Sequence, residues 1–223
     1  MPINHEKNYQ GFSLIELMLS LFLGSLLLAM VIGLYVTGVS NGAKNAKYSR
    51  LRTDLQSMLS IMTTDIRRAG YGGVDFLVKD DDGKNISVKI TTLLGKHCII
   101  YSYDHKLDQQ LNTDDKMGFC YDQALKKVQF VTNVGADKTW DEIWSCVTDG
   151  GTWSTCIVGG NWVNLSDPDF ISITALTFTQ STSSSATATL RNITIKLTGE
   201  LKANSDYTYS ATSTIQVRNV ELQ

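Results

Sequence analysis

The chain has 223 residues, 43% hydrophobic and 19% charged, with 20 Lys and Arg against 22 Asp and Glu. That length holds one ordinary domain with an appendage, or two small domains. A formal net charge of −2 argues against a nucleic-acid binder, and two prolines with average hydrophobicity exclude a collagen-like or disordered chain.

Residues 1–11 (MPINHEKNYQG) are polar and too few to form a domain. Behind them, 19 of the 25 residues at 12–36 are apolar, the exceptions being Ser13, Glu16, Ser20, Gly24, Ser25 and Gly33. A helix of this length exceeds the roughly 20 residues that span a bilayer. A signal peptide has a shorter apolar core and a small-residue cleavage site behind it, and no clean A-x-A site follows here. Glu16 is the one charge in the run, and a carboxylate in lipid is costly unless it has a partner. Lys7 and the amino terminus bias the leader toward the cytoplasm and send the remainder outward.

The segment Gly11-Phe12-Ser13-Leu14-Ile15-Glu16-Leu17 resembles the processing motif of type IV prepilins and type II secretion pseudopilins. The resemblance implies that a membrane-bound prepilin peptidase cuts between Gly11 and Phe12, and that the new Phe12 amine is N-methylated. It also places Glu16 at the family's acidic position after the cut. There the carboxylate gains the partner it lacks, the Phe12 amine of a neighbouring subunit in a helical fibre, because a buried charge is tolerable only when paired.

Past residue 36 the helical signal continues. Leu51, Leu55, Met58, Leu59, Met62 and Ile66 recur at helical spacing, an amphipathic stripe read as core packing. No proline interrupts residues 12–69; Arg67 and Arg68 suit the C-terminal end of a helix dipole, and Gly70 is a C-cap candidate. One helix is predicted over residues 12–69, apolar all round to residue 36 and one-sided over 37–69. Gly33, Gly38 and Gly42 are its weak points or close-packing sites. Asp65-Ile66-Arg67-Arg68-Ala69-Gly70-Tyr71 resembles the helix-to-head junction of PilW-type minor pilins, and Val217-Arg218-Asn219 is similar to that family's closing strand. Pseudopilins of the GspJ type belong to the same broader group, so pilus and secretion pseudopilus both stay open.

Residues 70–223 read as a β-rich head. Thr-, Val-, Ile-, Tyr- and Phe-rich runs predict strands at 86–93, 98–103, 118–121, 128–132, 171–180, 188–197 and 207–217, the last two as a hairpin. Turn signals separate them at Asp82-Gly83, Asp149-Gly150-Gly151 and the Ser/Thr tract 181–185. Residues 137–165 are the least regular stretch and hold Trp140, Trp144, Trp153 and Trp162, which serve either as core filling or as a contact surface. The expected fold class is α+β, a long N-terminal helix packed on an antiparallel sheet. In domain terms this is a cleaved leader (1–11), a transmembrane and fibre-core half-helix (12–36), an amphipathic half-helix (37–69) and a periplasmic head (70–223).

Cys98, Cys120, Cys146 and Cys156 all lie in the head, in a compartment that favours disulfides. Four cysteines allow three pairings, of which the sequence-local one, Cys98–Cys120 with Cys146–Cys156, is expected. No C-x-x-C and no spaced histidine supports a metal site, and no cofactor is expected. Residues 80–85 (DDDGKN) are oxygen-rich enough to raise calcium but lack the ligand spacing of an EF-hand, and read as a hairpin turn. G-x-S-x-G, H-E-x-x-H and P-loop motifs are all missing, so an enzyme is not expected. The resemblance implies a minor pilin that primes pilus assembly. Its implied partners are other minor and major pilins, prepilin peptidase and the inner-membrane assembly machinery. It would be single-pass in the inner membrane with its head in the periplasm, and later part of the surface pilus. The alternatives are a secretion pseudopilin, or a tip adhesin or DNA-uptake module working through the head.

Overall fold

The computed structural model describes residues 11, 13–135, 138–149, 151, 160–184, 188–217 and 221–222. Along the chain these form helix α1 (Leu14–Ile66) and strands β1 (Val78–Lys79), β2 (Asn85–Ile86), β3 (Val88–Leu93), β4 (Lys96–Ser102), β5 (Lys116–Asp122) and β6 (Lys127–Thr132). Helix α2 (Trp140–Thr148) and strands β7 (Asn161–Asn164), β8 (Ile171–Ser184), β9 (Ala188–Leu201), β10 (Asn204–Gln216) and β11 (Glu221–Leu222) follow. The arrangement is α+β: a long N-terminal helix and antiparallel sheets. The chain divides into two compact units, Met1–Lys47 and Tyr48–Gln223.

In the first unit α1 carries its apolar side chains on the surface. Every large hydrophobic side chain from Leu14 to Val39 is exposed, from 41% at Leu26 to 78% at Leu14. This stretch is long and apolar enough to cross a membrane.

In the second unit the same helix becomes one-sided. Leu51, Leu55, Met58, Leu59, Met62 and Ile66 are all buried, each contributing roughly 1.5–3 kcal/mol of transfer free energy. They pack against the inner faces of two sheets. One sheet has the order β3-β4-β5-β6-β7; in the other, β9 is flanked by β8 on one side and by β10 and β11 on the other. Gly199 on β9 makes the approach possible, since a Cβ there would stand 3.1 Å from Leu55 Cδ2.

The five-stranded sheet is covered on both faces. Alternation sends Ile99, Tyr101 and Phe119 toward α1, while Cys98, Ile100 and Cys120 face Val78, Trp140 and Ile143 in a second apolar cluster. That explains why β5 is buried at every position.

Four features differ from the sequence expectation. The helix ends at Ile66 rather than residue 69, because its last turns tighten: Arg68 N–H donates to Asp65 O and Ala69 N–H to Ile66 O. Gly70 then turns out of the helix with φ 75°, and its N–H goes to Ser102 O, 2.7 Å. Second, residues 181–184 are strand rather than turn, paired with 189–192 of β9. Third, the irregular Trp-rich stretch contains α2 and β7. Fourth, the predicted strand at 86–93 breaks at Ser87 into β2 and β3.

Candidate assembly site

Ser13 precedes the first residue of α1, and Glu16 is the acidic residue of the first turn. The Ser13 N–H donates to Glu16 Oε2 at 3.3 Å. This is the return half of an S-x-x-E capping box: the N3 carboxylate reaches back and satisfies a backbone donor that the helix leaves unpaired. It also places negative charge at the positive end of the helix dipole. The expectation for Glu16 rested on its position in the processing motif; the Ser13-Leu14-Ile15-Glu16 spacing was a second signal, for capping, that it left unread. Gly11 is exposed and outside the helix. Phe12 and residues 1–10 of the expected leader lie outside the described residues.

A second constellation ties the end of α1 to the sheet. Asp65 accepts Tyr101 Oη–H at 2.5 Å through Oδ2 and Tyr103 Oη–H at 2.7 Å through Oδ1. Tyr101 is fully buried and Tyr103 nearly so, at 5% exposure. Burial, together with the adjacent Asp65 carboxylate, pushes the Tyr103 phenol up to about 12 and drives Tyr101 well above its ordinary value. The Arg68 guanidinium lies over the Tyr103 ring, 5.7 Å from its centroid. Asp65, Tyr103, His105, Asp114 and Met117 line an open depression of about 380 Å³. In the sequence, residues 65–71 carry a resemblance and helix-stop signals; the clamp depends on Tyr101 at the end of β4 and Tyr103 just beyond it reaching one carboxylate.

The cysteines also occupy defined places. Cys98 and Cys120 are directly opposed on β4 and β5, with Cα atoms 4.1 Å apart, and are joined as a fully buried disulfide. Cys146 in α2 is disulfide-bonded as well; its expected partner, Cys156, lies outside the described residues. Trp140 belongs to the core: its indole N–H donates to Ser102 Oγ at 2.8 Å, and Ser102 Oγ–H donates to Phe76 O. Trp162 is partly buried, with Lys96 Nζ 4.1 Å from its ring centroid. Trp153 lies outside the described residues, as do Arg218 and Asn219 of the expected closing strand.

In the segment raised as a calcium site, Asp80 Oδ1 accepts the N–H groups of Asp82 and Lys84, and Asp81 pairs with Lys89 at 2.6 Å. These carboxylates brace a tight turn at Gly83. No three His, Cys, Asp or Glu side chains among the described residues gather as a metal cluster.

Two family models match the chain. The prokaryotic N-terminal methylation motif covers residues 7–32, the end of the expected leader and most of the apolar run. The model for prepilin peptidase-dependent protein B covers residues 44–217, the amphipathic part of α1 and nearly all of the head. The chain belongs to the prepilin peptidase-dependent protein B family. It is therefore a type IV pilin-like protein, in a group that takes in pilins and pseudopilins, and the family's dependence on prepilin peptidase supports processing by that enzyme. The family is a structural one, and its apolar N-terminal helix fits a membrane-anchored pilin. No curated protein and no solved structure matches the chain.

Proposed function

We propose that the chain is a minor pilin of a type IV pilus, acting with other pilins in the assembly or initiation of the fibre. Prepilin peptidase cuts between Gly11 and Phe12 and methylates the new amine. Before assembly the protein sits in the inner membrane by its apolar helix with the head in the periplasm; afterwards the helix lies in the fibre core. The observation that carries this reading is the exposed apolar surface of α1 from Leu14 to Val39, headed by a single carboxylate. A soluble protein gains nothing from such a surface, whereas a bilayer and then a bundle of neighbouring helices would cover it. Glu16 suits docking because its carboxylate is already fixed at the helix start by Ser13. The methylated amine of an adjacent subunit is the cation that would neutralise it.

The test is mass spectrometry of the protein recovered from cells. The expected N-terminal peptide begins with N-methylated Phe12, and Gly11→Ala retains the leader. A mature form still beginning at Met1, or normal cleavage of Gly11→Ala, overturns the assignment. Loss of surface pili on deleting the gene separates a pilus component from a secretion pseudopilin, whose deletion spares pili and blocks secretion.

A further inference from the structure

We propose that a trough at the end of the head where α1 enters binds the headgroup of a zwitterionic phospholipid with a primary ammonium, docking the head on the bilayer. This rests on the membrane-anchored reading of α1. Within the head, that end is marked by Arg50, which bonds Asp167 at 3.0 Å and lies 3.8 Å from the Phe170 ring centroid, and by Tyr48 against Tyr207. Asp65 with its two tyrosines marks the opposite end. Eight residues, 40–47, separate Tyr48 from Val39, where the exposed apolar run stops. At helical rise that is about 13 Å, so a bilayer around the run comes within reach of this end of the head.

The trough is open and holds about 700 Å³. The β5–β6 turn brings Leu125 and Lys126 to it, and β9 with its hairpin to β10 brings Glu200, Lys202 and Asp206. Both signs of charge therefore line it, and the lysines are loosely held. Lys126 Nζ is 3.8 Å from Glu200 Oε1, and Lys202 Nζ is 3.8 Å from Asp169 Oδ1 and donates to Pro168 O. The two lysine side chains are 58% and 57% exposed. Long, wet ion pairs contribute little, so a ligand carrying both charges exchanges with them at small cost. A phosphate takes the two lysine ammonium groups, and a primary ammonium donates to Glu200 and Asp206. A simple anion would meet the carboxylates, and a simple cation the lysines.

The surroundings fit a lipid rather than a free zwitterion. Leu125 is 61% exposed beside the trough. Antiparallel register sets the β3–β4 turn at the same end of the five-stranded sheet, and there Leu94 is 65% exposed. A solvated turn gains nothing from an exposed leucine, whereas the boundary between headgroups and acyl chains buries it. Two hairpin tips thus carry apolar side chains at the end of the head that the anchor holds near lipid.

The experiment uses the full chain in vesicles, with an environment-sensitive dye on Leu125→Cys. Emission is expected to shift to the blue in vesicles of phosphatidylethanolamine and phosphatidylglycerol. It is expected to stay unshifted when phosphatidylcholine, which has no N–H to donate, replaces the phosphatidylethanolamine. The same dye on Leu107→Cys, exposed between β4 and β5 at the opposite end, is expected not to respond. Lys126→Glu with Lys202→Glu is expected to abolish the shift while flotation with the vesicles and the thermal melt of the head hold. If that pair unfolds the head, Lys126→Gln with Lys202→Gln gives the same readout. An equal shift in the two lipids, an equal shift at Leu107→Cys, or a shift that survives loss of both lysines overturns the proposal. A shift produced by free phosphoethanolamine in detergent overturns the bilayer as its source. Flotation without a shift overturns the headgroup site alone, whereas a chain that does not float overturns the anchored reading and the site with it.

Discussion

Asp65 holds two tyrosine hydroxyls, Tyr101 and Tyr103, on one carboxylate. Removing the carboxylate leaves both phenols without their acceptor at the joint between helix and sheet. Asp65→Ala is therefore expected to cost about 2 kcal/mol of head stability, read from denaturant unfolding; an unchanged midpoint would show the clamp to be idle. The same cluster makes a pH prediction. A phenol whose folded value is raised keeps its proton longer in the native state than in the unfolded chain. The resulting stabilisation is full below the ordinary tyrosine value near 10 and is lost as pH rises through about 12, the value reached by Tyr103. Thermal midpoints of the wild type are expected to fall across that window, and those of Tyr103→Phe to fall less steeply. Parallel slopes for the two proteins would exclude Tyr103 as the source.

At the scale of elements, α2 stands on one cap. Thr139 accepts Glu142 N–H through Oγ1 at 3.3 Å, and Glu142 Oε2 returns to accept Thr139 N–H at 2.6 Å. This reciprocal pair starts a helix of only nine residues, too short to be stable alone. It also lowers the Glu142 carboxyl below its usual value. Thr139→Ala is expected to destabilise the head by about 1 kcal/mol, with the loss seen first as faster amide exchange in α2. The cross-strand disulfide is the larger local restraint. Replacing Cys98 and Cys120 together by alanine is expected to cost about 3 kcal/mol; a smaller loss would mean that β4 and β5 are held by packing alone.

For the whole molecule, the proposed function sets assembly in one of the two compact units and head stability in the other. Glu16 bonds Ser13 within its own unit. Glu16→Ala is accordingly expected to leave the thermal melt of the head unchanged while lowering recovery of the protein in sheared fibres. Glu16→Gln keeps an acceptor for Ser13 but loses the charge. If docking depends on charge it fails as Glu16→Ala does, and if capping is the whole role it incorporates normally.

The sequence by itself determined the elements whose signal is local. The 12–36 run, the stripe from Leu51 to Ile66, Gly70 as terminator and the long hairpin of β9 and β10 are written in periodicity, capping chemistry and β-branched runs. Much of the candidate site is likewise legible, because Glu16 is conspicuous in an apolar segment. What sequence left unread is of two kinds. Thr139-x-x-Glu142 is a capping box in an irregular stretch, and Ser13-x-x-Glu16, which forms the return half of one, overlaps the processing motif that drew the reading of Glu16. Residues 181–184 are serines and threonine with turn propensity, held in a strand by their ladder to β9. Only the tertiary structure decided which residues meet across distance. Asp65 finds Tyr101 and Tyr103 because β4 crosses the end of α1, and Cys98 faces Cys120 because antiparallel register puts them opposite each other. Beyond Ile173 the outer side of β8 has no strand partner among the described residues, a matter of strand order that no local propensity encodes.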